Sequence, residues 1–198
     1  ALCNTCNLTH ASSRTQSDIP ILFHNLSKYD SKIIISALGK VNHKLGKIKI
    51  IPKSSEQFIS FNIGRYRFID SYQFLNASLS TLVENLKGND LNEFKFTKQI
   101  HPKLYPLLIK KQPYPYSFAK CLHDYNKIGL PHKSAFYDDL RGKQITNEDY
   151  EHAKHVFLSF NCKRFIDYHL LYLKTDVCLL ADIYEANRNL CIATYGLD

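Results

Sequence analysis

Tyr172 and Asp176 stand four residues apart inside the apolar run LLYLKTDVCLL at 170–180. On a helix that spacing stacks the phenol and the carboxylate on one face. A carboxylate among Leu170, Leu171, Leu173, Val177, Leu179 and Leu180 needs a partner, because an unpaired charge in apolar surroundings is costly. Two readings are open from spacing alone. Asp176 is a helix-surface residue beside Lys174, or it is a metal ligand with Tyr172 one turn away to orient a water.

A second carboxylate, Asp30, closes the stretch IPILFHNLSKYD at 19–30. This stretch reads as a buried strand over 19–25 that runs into a helix, so Asp30 falls just past the strand. If the helix carrying Asp176 covers that strand, two carboxylates from distant sequence make a hard-oxygen site for Mg²⁺ or Mn²⁺. Such ions activate a water and stabilise the leaving oxygen of a phosphodiester. Asn25 and Tyr29 beside it suit a single strand of nucleic acid, the amide by hydrogen bonding and the ring by stacking. The plain alternatives are a turn amide and a core aromatic.

The elements that must position these residues follow from patterning. Ser27 or Asp30 can cap a helix with Ile33, Ile34, Ala37 and Leu38 on one apolar side. GKIKIIPK, EQFISFNIG and RYRFIDSYQFL read as three strands. SLSTLVENLKG reads as a short helix with Gly88 just past its end. The middle, roughly 89–145, holds five of the seven prolines, between Pro102 and Pro131, and predicts extended surface segments with Tyr and Phe tucked under them. A helix then starts at Thr146 or Asn147, with Glu148, Asp149 and Glu151 in the first turn, where the helix dipole favours anions. RFIDYHLLYLKTDVCLLADIYEANRNLCIATYG predicts one long helix or two. The sum is a small sheet with helices laid on it.

The chain has 198 residues, 44% of them hydrophobic, enough for a real core. Lys and Arg outnumber Asp and Glu by 26 to 18, a net charge of +8 that suits a polyanionic partner such as nucleic acid. Thirteen Tyr and twelve Phe supply rings for stacking. No run of about 18 apolar residues occurs and no charged-then-apolar leader opens the chain, so neither a membrane span nor a signal peptide is expected. With no Met present, both ends read as cuts in a longer protein. Cys121, Cys162, Cys178 and Cys191 lie in or near apolar segments, where reduced Cys acts as a small hydrophobe. That is not a secreted disulfide framework, and the nucleus or the cytoplasm is the expected location.

FHNLSKYD resembles the second exonuclease motif of family B DNA polymerases, an Asn followed by an aromatic–Asp pair, and YLKTD resembles the third, Tyr-x-x-x-Asp. RFIDSYQFLNASLSTLVENL and the segment from Phe160 to Asp198 are similar to the protein-primed branch of that family, which includes polymerases of Maverick/Polinton-type DNA transposons and adenovirus-like elements. The likeness covers about residues 19–198, with four stretches in the expected order. It implies that Asp30 and Asp176 are metal ligands and that Tyr172 orients the attacking water. His24, Asn25 and Tyr29 would line the path of the strand. Ser71 and Tyr72 occupy the place of a Ser/Thr-Leu pair that contacts the 3′ end, with Tyr in place of Leu. Lys133, with Phe136 three residues on, matches a lysine that supports the scissile phosphate; a solvated lysine is the alternative.

The family's first exonuclease motif, Asp-x-Glu, has no counterpart in residues 1–18. In relatives a zinc-bearing insert separates that motif from the second. ALCNTCNLTH resembles the tail of such an insert, similar to part of an endonuclease VII-like module. Cys3 and Cys6, with His10 as a third candidate, would then be part of a Zn²⁺ site that needs four ligands. The resemblance therefore implies a zinc-knuckle remnant over 1–18 and a ribonuclease H-like exonuclease domain over 19–198. The fold class is α/β, a mixed sheet flanked by helices. The implied function is metal-dependent hydrolysis of a DNA 3′ end, the proofreading activity of a mobile-element polymerase. Its partners would be single-stranded DNA, the rest of the polymerase chain and a terminal protein. With half of its carboxylates missing, the isolated chain is expected to be inactive or weak. The alternative is a single-stranded-DNA-binding remnant without catalysis. Asp70 and Asp182 are left as candidate substitutes for a missing ligand.

Overall fold

The structure, a computed structural model, describes residues 18–27, 30–38, 48–52, 58–89, 91–139 and 141–196. It is an α/β chain that divides into two compact units, 1–77 and 78–198. The two are described separately. Cys3, Cys6, His10 and Tyr29 lie outside the described residues.

The first unit holds a four-stranded mixed sheet in the order β1-β4-β3-β2. Its strands are β1 (Ile19–Phe23), β2 (Ile48–Pro52), β3 (Phe58–Ile63) and β4 (Tyr66–Asp70). Helix α1 (Asp30–Leu38) follows β1. β1 runs parallel to β4, with Ile19 opposite Tyr66 and Phe23 opposite Asp70. β3 pairs antiparallel with both β4 and β2. Gly64, at φ 57, makes the tight turn from β3 to β4, a backbone conformation that glycine adopts without a Cβ penalty. Pro52 sits on the edge strand, where its missing N–H breaks no central ladder.

The core of this unit is Leu26, Phe61 and Ile63, with Phe23, Ile34 and Phe68 packed against them. Phe61 and Phe68 stack with ring centroids 4.6 Å apart. Two expectations are corrected here. The strand after Asp18 is buried only toward its end, since Ile19 and Pro20 are exposed. Helix α1 buries Ile34 against the sheet, whereas Ile33 is 72% exposed and Ala37 is exposed too. A one-residue step on a helix turns a side chain by about 100°, so Ile33 and Ile34 cannot both face one sheet squarely.

The second unit is helical. It comprises α2 (Leu79–Asn89), α3 (Lys95–Ile100), α4 (Leu122–Tyr125), α5 (Asn147–Ser159) and α6 (Phe165–Tyr195). Gly88 lies inside α2 rather than beyond its end. The final segment is one helix of 31 residues, closed by Gly196 in the left-handed region. Thr146 caps α5, accepting the Asp149 N–H at 3.0 Å. The core gathers Leu108, Phe136, Ala153, Val156, Phe157, Phe165 and Tyr168, so α5 and α6 close over the proline-rich middle. Cys121 is exposed, unlike the apolar setting expected for it, while Cys162, Cys178 and Cys191 are half-buried. No helix among the described residues is long and apolar enough to cross a membrane.

Candidate functional site

The parallel pair β1/β4 delivers two segments to one edge of the sheet. His24 and Asn25 follow β1; Ser71 and Tyr72 follow β4. Outside the carboxyl ends of parallel strands is where open α/β sheets place ligands. Asp70 ties the two segments together. Its Oδ1 accepts the N–H of Asn25 at 2.8 Å and that of Tyr72 at 3.1 Å, and its Oδ2 accepts the Ser27 N–H at 3.0 Å. Burial alone would raise the Asp70 carboxyl, but these hydrogen bonds hold it below the ordinary carboxylate range. With three backbone amides on its two oxygens, Asp70 anchors both segments.

Around that anchor the predicted strand-binding residues converge. Ser71 Oγ lies 2.9 Å from the Phe23 carbonyl and 3.0 Å from His24 Nδ1, and His24 Nε2 is 2.9 Å from the Ala77 carbonyl. The Tyr72 ring meets the His24 ring edge-on at 5.4 Å. Asn25 adopts φ 68, a left-handed conformation that Asn tolerates better than most residues. Its Oδ1 is buried without a hydrogen-bond partner. Asp30 is half-buried in the first turn of α1.

In the second unit, Tyr172 and Asp176 do share a face of α6. Tyr172 is buried, and its hydroxyl bonds the Tyr116 hydroxyl at 2.8 Å. The Tyr114 ring stacks on the Tyr172 ring at 4.4 Å, and its hydroxyl reaches His169 Nδ1 at 2.7 Å. Burial and the nearby Asp176 charge push the Tyr172 phenol well above its ordinary range, so it stays protonated. The partner of Asp176 is Lys111, with Nζ 3.6 Å from Oδ2, and not Lys174 beside it in sequence. Asp176 Oδ1 is buried and has no hydrogen-bond partner. Burial pushes its carboxyl up, with Lys111 and Tyr172 pulling it back.

Asp182 is fully engaged elsewhere. It accepts the Phe96 N–H at 2.7 Å, the Thr97 N–H at 3.0 Å and the Thr97 hydroxyl at 2.6 Å, and so closes the start of α3. Burial still raises its carboxyl. Lys133 opens a single 3₁₀ turn, Lys133–Phe136, whose Phe136 is in the core. Its amine donates to Asn147 Oδ1 at the start of α5. Among the described residues, no three or more His, Cys, Asp or Glu side chains gather in a group that could hold a metal ion.

Lys111, Tyr114, Tyr116 and His169 surround Tyr172 and Asp176 although spacing did not single them out. The signal was KKQPYPYSF, whose alternating prolines and tyrosines make an extended strip with rings on it. Comparison of the chain with models of known protein families, with curated proteins and with solved structures gives no match.

Proposed function

We propose that this chain is the 3′→5′ exonuclease region of a protein-primed family B DNA polymerase, with a ribonuclease H-like fold, a region that serves hydrolysis of DNA 3′ ends by the parent polymerase in the replication of a mobile element and is inactive or weak by itself. The observation that carries the reading is a pair of unsatisfied atoms. Among the described residues, four buried side-chain oxygens lack a hydrogen-bond partner, and two of them are Asn25 Oδ1 and Asp176 Oδ1. Buried polar atoms are nearly always satisfied, so each exception calls for an explanation, of which a bound ligand or water is one. These two belong to residues that the sequence motifs single out for the DNA strand and for the metal.

Asp30 in the first unit and Asp176 in the second would each act as a carboxylate ligand to Mg²⁺ or Mn²⁺, as the resemblance implies. Mg²⁺ is often held by one or two carboxylates with water completing its shell. The bound ion would supply an activated water and stabilise the leaving oxygen. The protein's own groups do the rest. Tyr172 holds a proton and can orient a water by hydrogen bonding. His24, Asn25, Ser71 and Tyr72 seat the strand at the sheet edge. The test is digestion of a 3′-labelled single-stranded oligonucleotide in Mn²⁺. Loss of the parent's activity in both Asp30→Ala and Asp176→Ala supports the reading, and digestion that survives either change refutes it.

A second reading is a single-stranded-DNA-binding module without catalysis. It is favoured by the grouping of His24, Asn25, Ser71 and Tyr72 beyond the ends of β1 and β4. In that case the same two substitutions leave DNA affinity unchanged and there is no digestion to lose.

A further inference from the structure

Four groups beyond the ends of β1 and β4 form a row: the Phe23 carbonyl, the Ser71 hydroxyl, the His24 ring and the Ala77 carbonyl. Ser71 Oγ donates to the Phe23 carbonyl at 2.9 Å and stands 3.0 Å from His24 Nδ1, and His24 Nε2 is 2.9 Å from the Ala77 carbonyl. Both ends of the row are carbonyls, which only accept, so counting fixes the protons between them. Nε2 must carry a proton to serve Ala77. A neutral ring then has a bare Nδ1, which only accepts, and Ser71 has one proton for two acceptors. It serves Nδ1 or Phe23, and not both. With a second proton on the ring, Nδ1 donates to Ser71 Oγ, Ser71 donates to Phe23, and every contact in the row is made. Ser71 is fully buried, which raises the cost of a lost contact.

We infer that His24 is a proton switch for the strand-binding edge: it takes up a proton to complete this row, and binding of the phosphates of a single DNA strand is coupled to that uptake. The inference rests on the reading of this edge as the path of a strand. Histidine suits the role, because its charge changes in the physiological range. The imidazolium does two things at once. It locks the end of β1 to the turn after β4, through Phe23 and Ser71, and it sets a positive charge where phosphates would lie. Loss of the proton removes the charge and turns the Ser71 hydroxyl away from one of its two acceptors. Among the described residues the ring meets Ser71, Ala77 and the ring of Tyr72, edge-on at 5.4 Å. The charged group of this edge is Asp70, whose carboxylate holds the N–H of Asn25, next in the chain to His24. Its carboxyl is held below the ordinary range, so Asp70 stays ionised on both sides of the switch and the proton enters at His24.

Two measurements on the full chain test this. In the free chain, nuclear magnetic resonance follows the ring nitrogens of His24 and the carbonyl carbon of Phe23 across the histidine titration. The Phe23 carbonyl should move with the protonation of His24, as it gains or loses the Ser71 hydroxyl, and in Ser71→Ala it should no longer follow. Calorimetric titration with a single-stranded oligothymidylate, in buffers of different ionisation enthalpy, then counts the protons taken up on binding near neutral pH. The parent should take up as many as about one proton per strand. That uptake should be absent in His24→Gln, and also in His24→Lys, which keeps a charge at all times. Circular dichroism establishes that each variant is folded. A Phe23 carbonyl indifferent to the titration of His24 overturns the inference, as does an uptake that is the same in the parent and in His24→Gln. Failure of the strand reading looks different: the Phe23 carbonyl follows His24, yet the oligonucleotide does not bind, and the coupling falls with that reading.

Discussion

The carboxylate of Asp70, the last residue of β4, holds the backbone N–H of Asn25, two residues beyond β1, at 2.8 Å. One side chain thereby fixes both segments that carry the candidate strand-binding residues. Asp70→Ala leaves three backbone amides without their acceptor. Urea denaturation should show a loss of about 2–3 kcal/mol. The pH dependence has a definite sign. A carboxyl held below its unfolded value contributes stability above the ordinary carboxylate range, and that contribution is lost as pH falls through the folded value. The stability gap between parent and variant should therefore close in acid.

Asp182 makes the same kind of contact with the start of α3, so it should behave as a structural residue. Asp182→Ala should lower stability by about 2–3 kcal/mol, since three donors lose their acceptor. Its Mn²⁺ affinity, measured below the unfolding transition, should match the parent's. A loss of binding at full folding would make Asp182 a ligand after all.

Asp176 has the opposite sign. Its carboxyl is raised by burial, so the folded state is favoured by its protonation. That contribution is fully present below the unfolded value and is lost as pH rises through the folded one. Asp176→Asn removes the buried charge and should stabilise the chain at neutral pH by on the order of 1 kcal/mol, with the advantage disappearing in acid. Thermal unfolding at two pH values checks this. The same variant should lose digestion, trading stability against activity.

Tyr116→Phe removes the hydroxyl that bonds Tyr172 at 2.8 Å and leaves the ring. One neutral hydrogen bond is worth about 1 kcal/mol, so the digestion rate should drop about fivefold. Strand affinity should not change, which separates an effect on orienting Tyr172 from an effect on binding.

His24→Ala and Tyr72→Ala should each weaken binding of a single-stranded oligonucleotide, with Tyr72 costing about 1–3 kcal/mol if its ring stacks on a base. Affinity of the parent should fall steeply with salt as fewer counterions are released. Fluorescence anisotropy across a salt series reads both. Salt-independent binding would end the nucleic-acid reading.

Local order was legible in the residues themselves. The strands β2, β3 and β4 alternate or run apolar with β-branched residues, which marks them as strands even though β2 is exposed along its whole length. Thr146 with Asp149 three residues on is a local cap, readable because both partners lie within one turn. Tyr172 and Asp176 share a face because helical spacing fixes it. Where a signal was weaker, the structure chose otherwise. Gly88 stayed inside α2, because a single glycine in a helix costs only about 1 kcal/mol, which packing can override.

Pairings across the chain were decided by tertiary structure alone. Nothing near Asp176 in sequence points to Lys111, 65 residues earlier, and Lys174 was the nearer candidate. That Asp70 holds three backbone amides, and Asp182 two amides and the Thr97 hydroxyl, was equally unreadable in the sequence. The division into two units and the order of the strands are likewise long-range outcomes. The physical reason is common to all of these. Periodicity, propensity and capping act over one or two turns of chain, so the sequence by itself determined which elements form and which faces they bury. Which charge meets which partner depends on how those elements pack, and that is set by the folded arrangement as a whole.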